Sequence, residues 1–350
     1  MDKKNNHYVP QFYIKYFSNN GRSVGMWIHG KEPIPTASIK QILCEEFLYG
    51  KDGQLENILA NKEGEWSQII NKIMEDHKIP EDLNEYKKLL SFVLISSART
   101  LLDAKCVKEH FYELAKTICK MKWNITLSQE EFDDLYSKES MLIPNLYSIC
   151  SAEEDISFIF DLKAILIINK SNRSFITSDY PTAKYNQFFI SRKYYLYNNG
   201  LAHSGLQMYL PLSPYLCLCL YDKDVYTIIG LKDNVLDIES GSQIDELNKL
   251  FILNSYDYVI YNEDINQVFL NKYIKQYKPV MKTSQVQSFE NNDGDMSLVF
   301  SKPSVKENIK IQFFIVNKKY AFMKMPEHFG DLRRPSAENE LKKYQRNLIT

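Results

Sequence analysis

The 350-residue chain has little glycine, 12 residues, and no Walker-type loop or dinucleotide glycine fingerprint, so phosphate cradling by loop backbone is poorly supported. Cysteine is scarce too. The six cysteines include no Cys-x-x-Cys pair and none followed by histidine at finger spacing, which argues against a structural zinc site. Cys217 and Cys219 stand two apart on an expected strand and so share a face, where disulfide geometry is rarely reached. The chain therefore reads as a reduced cytoplasmic protein. No apolar run approaches the roughly 18 residues of a spanning helix. The lysines of Met1-Asp2-Lys3-Lys4-Asn5-Asn6-His7-Tyr8 have no apolar stretch behind them, unlike a signal peptide. Charge of one sign is also missing: 43 Lys and Arg against 44 Asp and Glu give a net −1, so no global field steers the chain to nucleic acid or anionic lipid.

What is present is ordinary globular material with a heavy aromatic load. Hydrophobic residues make up 44% and charged residues 25%, enough for a sizeable core, with 24 Tyr and 19 Phe. Helical periodicity is clear over residues 55–74, where Leu55, Ile58, Leu59, Trp66, Ile69, Ile70 and Ile73 form one stripe. A longer helix is expected over 83–120, with a possible interruption near Thr100 and a middle that is apolar almost all round. A short helix after Pro10 would put Tyr13 and Phe17 on one face. After residue 150 the texture changes. Residues 164–168 and 174–176 read as a hairpin-like pair, 206–210 and 215–221 as strands flanking Pro211-Leu212-Ser213-Pro214, and 256–261, 297–301 and 309–316 as further strands. Ser242 and Asp245 suggest a capping box for a helix to about 255, and 265–277 a further helix, whereas 285–294 reads as a polar loop. Helices first and short-linked strands later predict an α+β fold, the helical part packed on a mixed, mainly antiparallel sheet. We expect one unit over 1–325, with a helical half 1–150 and a sheet-containing half 151–325, and a loosely ordered polar tail 326–350.

The box His7-Tyr8-Val9-Pro10-Gln11, running on through Phe12-Tyr13-Ile14-Lys15-Tyr16-Phe17-Ser18, resembles the opening of a bacterial family known only as domain of unknown function 4238. Glu56 with Glu63, Arg99-Thr100, Thr177-Ser178-Asp179 with Pro181, Pro211-Leu212-Ser213-Pro214 and Asp245-Glu246-Leu247-Asn248 are similar to that family in the same order. The resemblance covers about residues 7–262 and implies a fold unit but no activity.

Several of these residues can carry chemistry. His7, just before a helix opened by Pro10, can serve as acid or base near neutral pH, or pin the N-terminal segment through its ring. Glu56 and Glu63 share a lane at the edge of an apolar stripe, where carboxylates hold Mg²⁺ or Mn²⁺, pair with an arginine, or stay solvated. Arg99 falls among Phe92, Ile95, Leu102 and Cys106, so its charge must be paired, with Glu56, Glu63 or Asp179 as partner, unless it meets a ligand's phosphate or carboxylate. Thr177, Ser178 and Asp179 leave a strand, where they can close a turn or point into a cleft. Residues 301–350 mix basic and aromatic side chains, which can hold a nucleic-acid strand but more commonly form strands and a solvated tail.

Two functions follow as expectations. In the first, the chain is an intracellular hydrolase of a phosphodiester or other anionic substrate, a nuclease-type toxin or phage-defence effector whose partner is nucleic acid or another anionic ligand. His7, Arg99 and Asp179 would be catalytic, Tyr8, Gln11, Thr177 and Ser178 would bind substrate, and Glu56 and Glu63 with Asp179 would hold a metal. In the second, the chain is a non-catalytic binding or sensing module whose polar residues form a closed structural network. No membrane partner is expected in either.

Overall fold

The computed structural model describes residues 5–135, 142–194, 200–280, 285–290, 296–301, 304–325 and 332–349. Strand β1 (Asn5–His7) leads into Pro10, whose φ of −56° and ψ of 131° suit the residue before a helix, and then into the short α1 (Gln11–Lys15). Strands β2 (Ser23–Ile28), β3 (Ile34–Ser38) and β4 (Cys44–Glu46) precede the periodic stripe, which forms α2 (Gln54–Asp76).

The long apolar helix is divided in two. Asp82 caps α3 (Leu83–Ala98) by accepting from the Asn84 and Glu85 amides, and Thr100 caps α4 (Leu101–Trp123) by accepting from the Asp103 amide. The break falls at Arg99-Thr100, so Arg99 stands at a helix end rather than in the middle of a lane. Helices α5 (Gln129–Leu135) and α6 (Leu142–Glu154) follow, neither of them anticipated.

The second half contributes β5 (Lys163–Asn169), β6 (Thr177–Ser178), β7 (Ala183–Tyr185), α7 (Gln187–Ser191), β8 (Gln207–Ser213), β9 (Leu216–Tyr221), β10 (Tyr226–Ile228), β11 (Val235–Ile238), α8 (Gly241–Asn254), β12 (Tyr258–Tyr261) and α9 (Gln267–Gln276). A five-stranded sheet has the order β11-β5-β9-β8-β7, antiparallel except where β11 pairs parallel with β5. It separates two cores. Along β9, Leu216, Leu218 and Leu220 join the core under the N-terminal helices, and Cys217, Cys219 and Tyr221 join the other. A period-two strand buried on both faces is the expected reading of so apolar a run.

A four-stranded sheet, β3-β2-β12-β6, unites the halves, because β2 pairs with β12 across the sequence. The hairpin expected between 164–168 and 174–176 is therefore not made. β5 stays in the larger sheet, while β6 crosses to pair with β12, drawn by its register with Val259 and Ile260. Ser242 is not a cap: Ser240 precedes α8, and Asp245 instead accepts from Arg173 Nε at 3.2 Å. Within 285–294, residues 285–290 are not loop but strand β13 (Gln285–Glu290), which pairs with β14 (Met296–Ser301); 291–294 lie outside the described residues. Of 309–316 only β15 (Phe314–Val316) is strand.

The expected tail begins with 326–331, outside the described residues; beyond them the chain is docked. Arg334, buried, donates from Nε to Asp161 (2.9 Å) and from Nη1 to the His203 carbonyl (2.8 Å). Its Nη2 meets the carbonyls of Phe158 and Leu201, and a helix over Pro335–Ile349 follows. One arginine with several acceptors overrides the polar composition that suggested looseness. The protein is α+β, and among the described residues no helix is long and apolar enough to cross a membrane.

Gly25 of β2 lies opposite Tyr261, and a Cβ there would sit 2.0 Å from the Tyr261 ring. That ring is buried and its hydroxyl donates to the Ile34 carbonyl (3.3 Å), so it has little room to yield. We expect Gly25→Ala to cost about 2 kcal/mol or more, read as a lower denaturant midpoint at unchanged slope. An unaltered midpoint would show that this face is not close-packed.

Candidate functional site

Arg99 is 1% exposed. Its Nη1 donates to Glu63 Oε1 at 2.6 Å, its Nη2 to the His7 carbonyl at 2.7 Å and its Nε to the Tyr49 hydroxyl at 3.2 Å, while the guanidinium also stands over the Tyr49 ring. Burial pulls the Arg99 pKa down, but Tyr49 and Glu63 outweigh it and the net shift is upward. Burial pushes the Tyr49 phenol up, so it stays neutral near pH 7 and Glu63 supplies the counter-charge. Glu56, half-buried one lane-step earlier on α2, also lies close enough to raise the Tyr49 pKa. Of the three partners open to Arg99, the structure thus selects Glu63.

His7 joins this knot through its backbone, not its ring. Gln11 Nε2 donates to His7 Nδ1 at 3.1 Å, which leaves the neutral ring's proton on Nε2. Burial lowers the His7 pKa, opposed by the Ile39 carbonyl, by Glu63 and by the Lys40 carbonyl, although neither carbonyl makes a well-formed bond to Nε2. No hydrogen bond joins the imidazole to Arg99, Glu63 or Asp179 among the described residues.

Asp179 is held elsewhere. It accepts from the amides of Tyr256 (2.9 Å), Asp257 (2.7 Å) and Tyr258 (3.1 Å), tying β6 to the start of β12. Burial pushes its pKa up to about 7 against the pull of those three amides. Tyr8, buried, is raised by burial and then by the nearby Asp179.

Tyr13 donates to the Pro211 carbonyl (2.7 Å), so Thr177 Oγ1, 2.6 Å away, is the donor to Tyr13. Ser178 Oγ accepts from the Tyr180 amide (3.1 Å), the hydroxyl turn anticipated as one option. Asn248 accepts from the Ile176 amide (3.1 Å) and donates to the Ser174 carbonyl (2.9 Å).

The constellation expected from the sequence is therefore divided. Glu63, Arg99 and the His7 carbonyl meet, and Asp179, Thr177 and Ser178 serve the sheet. Glu56, Glu63 and Asp179 do not assemble as a metal site. Among the described residues no three His, Cys, Asp or Glu side chains are arranged to hold an ion.

A cleft lies on the other side of these segments, a cavity of about 280 Å³ between α3, α4, α6 and β7. Its helical walls come from single lanes: Ser97 on α3, Asp103 and His110 on α4, Ser148 and Ser151 on α6. Ser148 donates to Asp103 Oδ2. Burial raises the pKa of Asp155, and Lys184 across the cleft draws it back down. Sequence reasoning missed this lining because it left 142–154 unassigned. The spacing of Ser148, Ser151 and Asp155, close to one helical face, was the available signal.

An α+β unit stitched at these positions is the class of protein that fold and side chains define. The chain belongs to the family described as Protein of unknown function (DUF4238), whose model matches residues 5–264. No curated protein and no solved structure matches it.

Removing Glu63 leaves Arg99 buried without its counter-charge. Glu63→Ala should cost about 3 kcal/mol, whereas Glu65→Ala, which breaks an exposed pair with Lys88, should cost under about 1 kcal/mol in the same denaturation experiment. Equal costs would deny the knot its role.

Asp179 adds a pH dependence. Its folded pKa near 7 exceeds the ordinary unfolded value of about 4, so folding takes up a proton between them and stability is lost as pH rises through that window. Wild type should lose stability relative to Asp179→Asn from about pH 4 to 7 and then level off. A flat difference would mean that the amides keep the carboxylate ionised in both states.

Proposed function

We propose that this chain is a non-catalytic binding module, and that the residues it shares with its family build the scaffold rather than a reaction centre. The observation that carries this reading is the Arg99 guanidinium: it is 1% exposed, and three of its five N–H groups donate to the protein's own Glu63, Tyr49 and His7 carbonyl. An arginine that stabilises charge developing on a substrate needs donors aimed at empty space. The same pattern recurs in Asp179, Thr177 and Asn248, each bonded within the chain.

The competing reading is a phosphodiester hydrolase of nuclease, toxin or phage-defence type, dependent on Mg²⁺ or Mn²⁺. It needs the His7 ring within about one water bridge of Arg99 or a carboxylate; Gln11 is the side chain hydrogen-bonded to that ring, and Glu63 and Arg99 act on it through space without a direct bond. We place the protein in the cytoplasm, because its six cysteines are all free thiols, as a reducing compartment keeps them.

Wild type and His7→Ala, incubated with RNA and with single- and double-stranded DNA in Mg²⁺, Mn²⁺ or EDTA, should both leave the substrates intact. Metal-dependent hydrolysis by wild type that disappears in a still-folded His7→Ala protein would overturn the binding-module reading and restore the hydrolase.

A further inference from the structure

We propose that the second half of α4 and the outer side of α6 form a dimer interface, and that its occupant is the same face of a second copy of this chain. The proposal goes beyond the binding-module reading and does not depend on it.

Along α4, Ala104, Val107, Phe111, Leu114, Ile118 and Met121 follow one another at alternating steps of three and four residues. That is the period of a helix that packs lengthwise on another helix. At the start of the lane Ala104 and Val107 are buried. Beyond Phe111 the lane runs on uncovered, with Leu114, Ile118 and Met121 between 38% and 57% exposed. A surface helix ordinarily turns polar side chains to water at such positions.

The neighbouring helix extends the same face. On α6, Ile143, Leu146 and Tyr147 are spaced to share one side, and all three are exposed. The Tyr147 ring meets Phe111 edge-on at 5.6 Å, which joins the two lanes. Six large side chains, each about half exposed, leave on the order of 600 Å² of apolar surface, the upper end of what a lone soluble chain shows in one patch. Two such faces together bury about 1,200 Å², where stable protein interfaces begin.

Charge selects the partner. No lane position is charged. Glu113 and Lys116, off the lane, are bonded to each other at 3.0 Å, and the Lys116 ammonium stands over the Tyr112 ring. A second copy therefore brings no like charge into the seam, and its own α4 supplies a helix of matching spacing. Pairing about a two-fold axis is the commonest closure for identical chains, and two helices from each copy would make a four-helix contact. An anionic membrane is held instead by a cluster of about four or more basic residues, whereas the end of α4 offers Lys120 and Lys122 on a chain of net charge −1.

Sedimentation velocity of the full chain tests this over about 1 to 100 µM, a range in which contacts of this size associate. Wild type should pass from the chain mass to twice that mass, and equally so in about 0.5 M NaCl, because an apolar seam is not screened. Leu114→Glu and Ile118→Glu should each weaken association about a hundredfold or more, since the two-fold places the new carboxylates in the seam from both copies. Both side chains face solvent in the single chain, so the variants should keep the wild-type circular dichroism. Tyr147→Ala, on the other helix, should weaken association about tenfold. Val268→Glu, at a 71% exposed position on α9, should leave it unchanged. A wild type that stays at the chain mass throughout, association untouched in folded Leu114→Glu and Ile118→Glu proteins, or an equal loss in Val268→Glu would each overturn the assignment. So would a monomeric wild type that sediments with phosphatidylglycerol vesicles while Ile118→Glu does not, which would give the face to a membrane. None of these outcomes bears on nucleic-acid hydrolysis, so the interface and the module can fail separately.

Discussion

A buried guanidinium organises the N-terminal half. Arg99 ends α3, and its side chain reaches back to α2 through Glu63, to the loop before α2 through Tyr49 and to β1 through the His7 carbonyl. Isolated in the interior, that charge would be costly by many kcal/mol. Once paired, it fixes the position of each segment it touches, because moving any of them leaves a charge or a carbonyl unanswered. The division of one long apolar helix into α3 and α4 follows from the same residue pair, with Thr100 capping the new helix where Arg99 turns inward.

The cleft owes its existence to that break. Ser97 and Ala98 belong to its wall, and Arg99, the next residue, points into the knot. On the other side Tyr180 and Thr182 line the cleft, while Asp179 is fastened to the amides at 256–258. Arg99 and Asp179 are thus hinge pins beside a space that they do not themselves fill. Their side chains are directed away from it, to Glu63 and to the amides at 256–258.

Much of the fold was legible. The stripe of α2, the interruption near Thr100, the strands β5, β8 and β9 and the α+β class all followed from periodicity and turn residues. The pairing of Arg99 with Glu63 was foreseen as one choice among three, since a buried charge requires a partner but spacing does not say which. What could not be read was long-range pairing. Nothing local tells Thr177–Ser178 to leave β5 for β12, or β2 to reach across to the second half. The cleft was missed for the same reason, because its walls come from elements far apart in sequence, one of which, α6, carries too mixed a pattern to stand out.

Arg334 has a consequence for where this protein ends as a physical object. The family match stops at residue 264, yet Arg334 answers Asp161 and the carbonyls of Phe158, Leu201 and His203, all inside the match. The Tyr185 hydroxyl likewise accepts from the Ile309 amide (2.8 Å), so β7 is also fastened by a segment beyond the match. The boundary of sequence similarity and the boundary of self-sufficient folding are therefore different. A chain trimmed to its recognisable portion would lose that guanidinium and part of the floor beneath β7, and the shared domain of this protein is fastened by residues outside it.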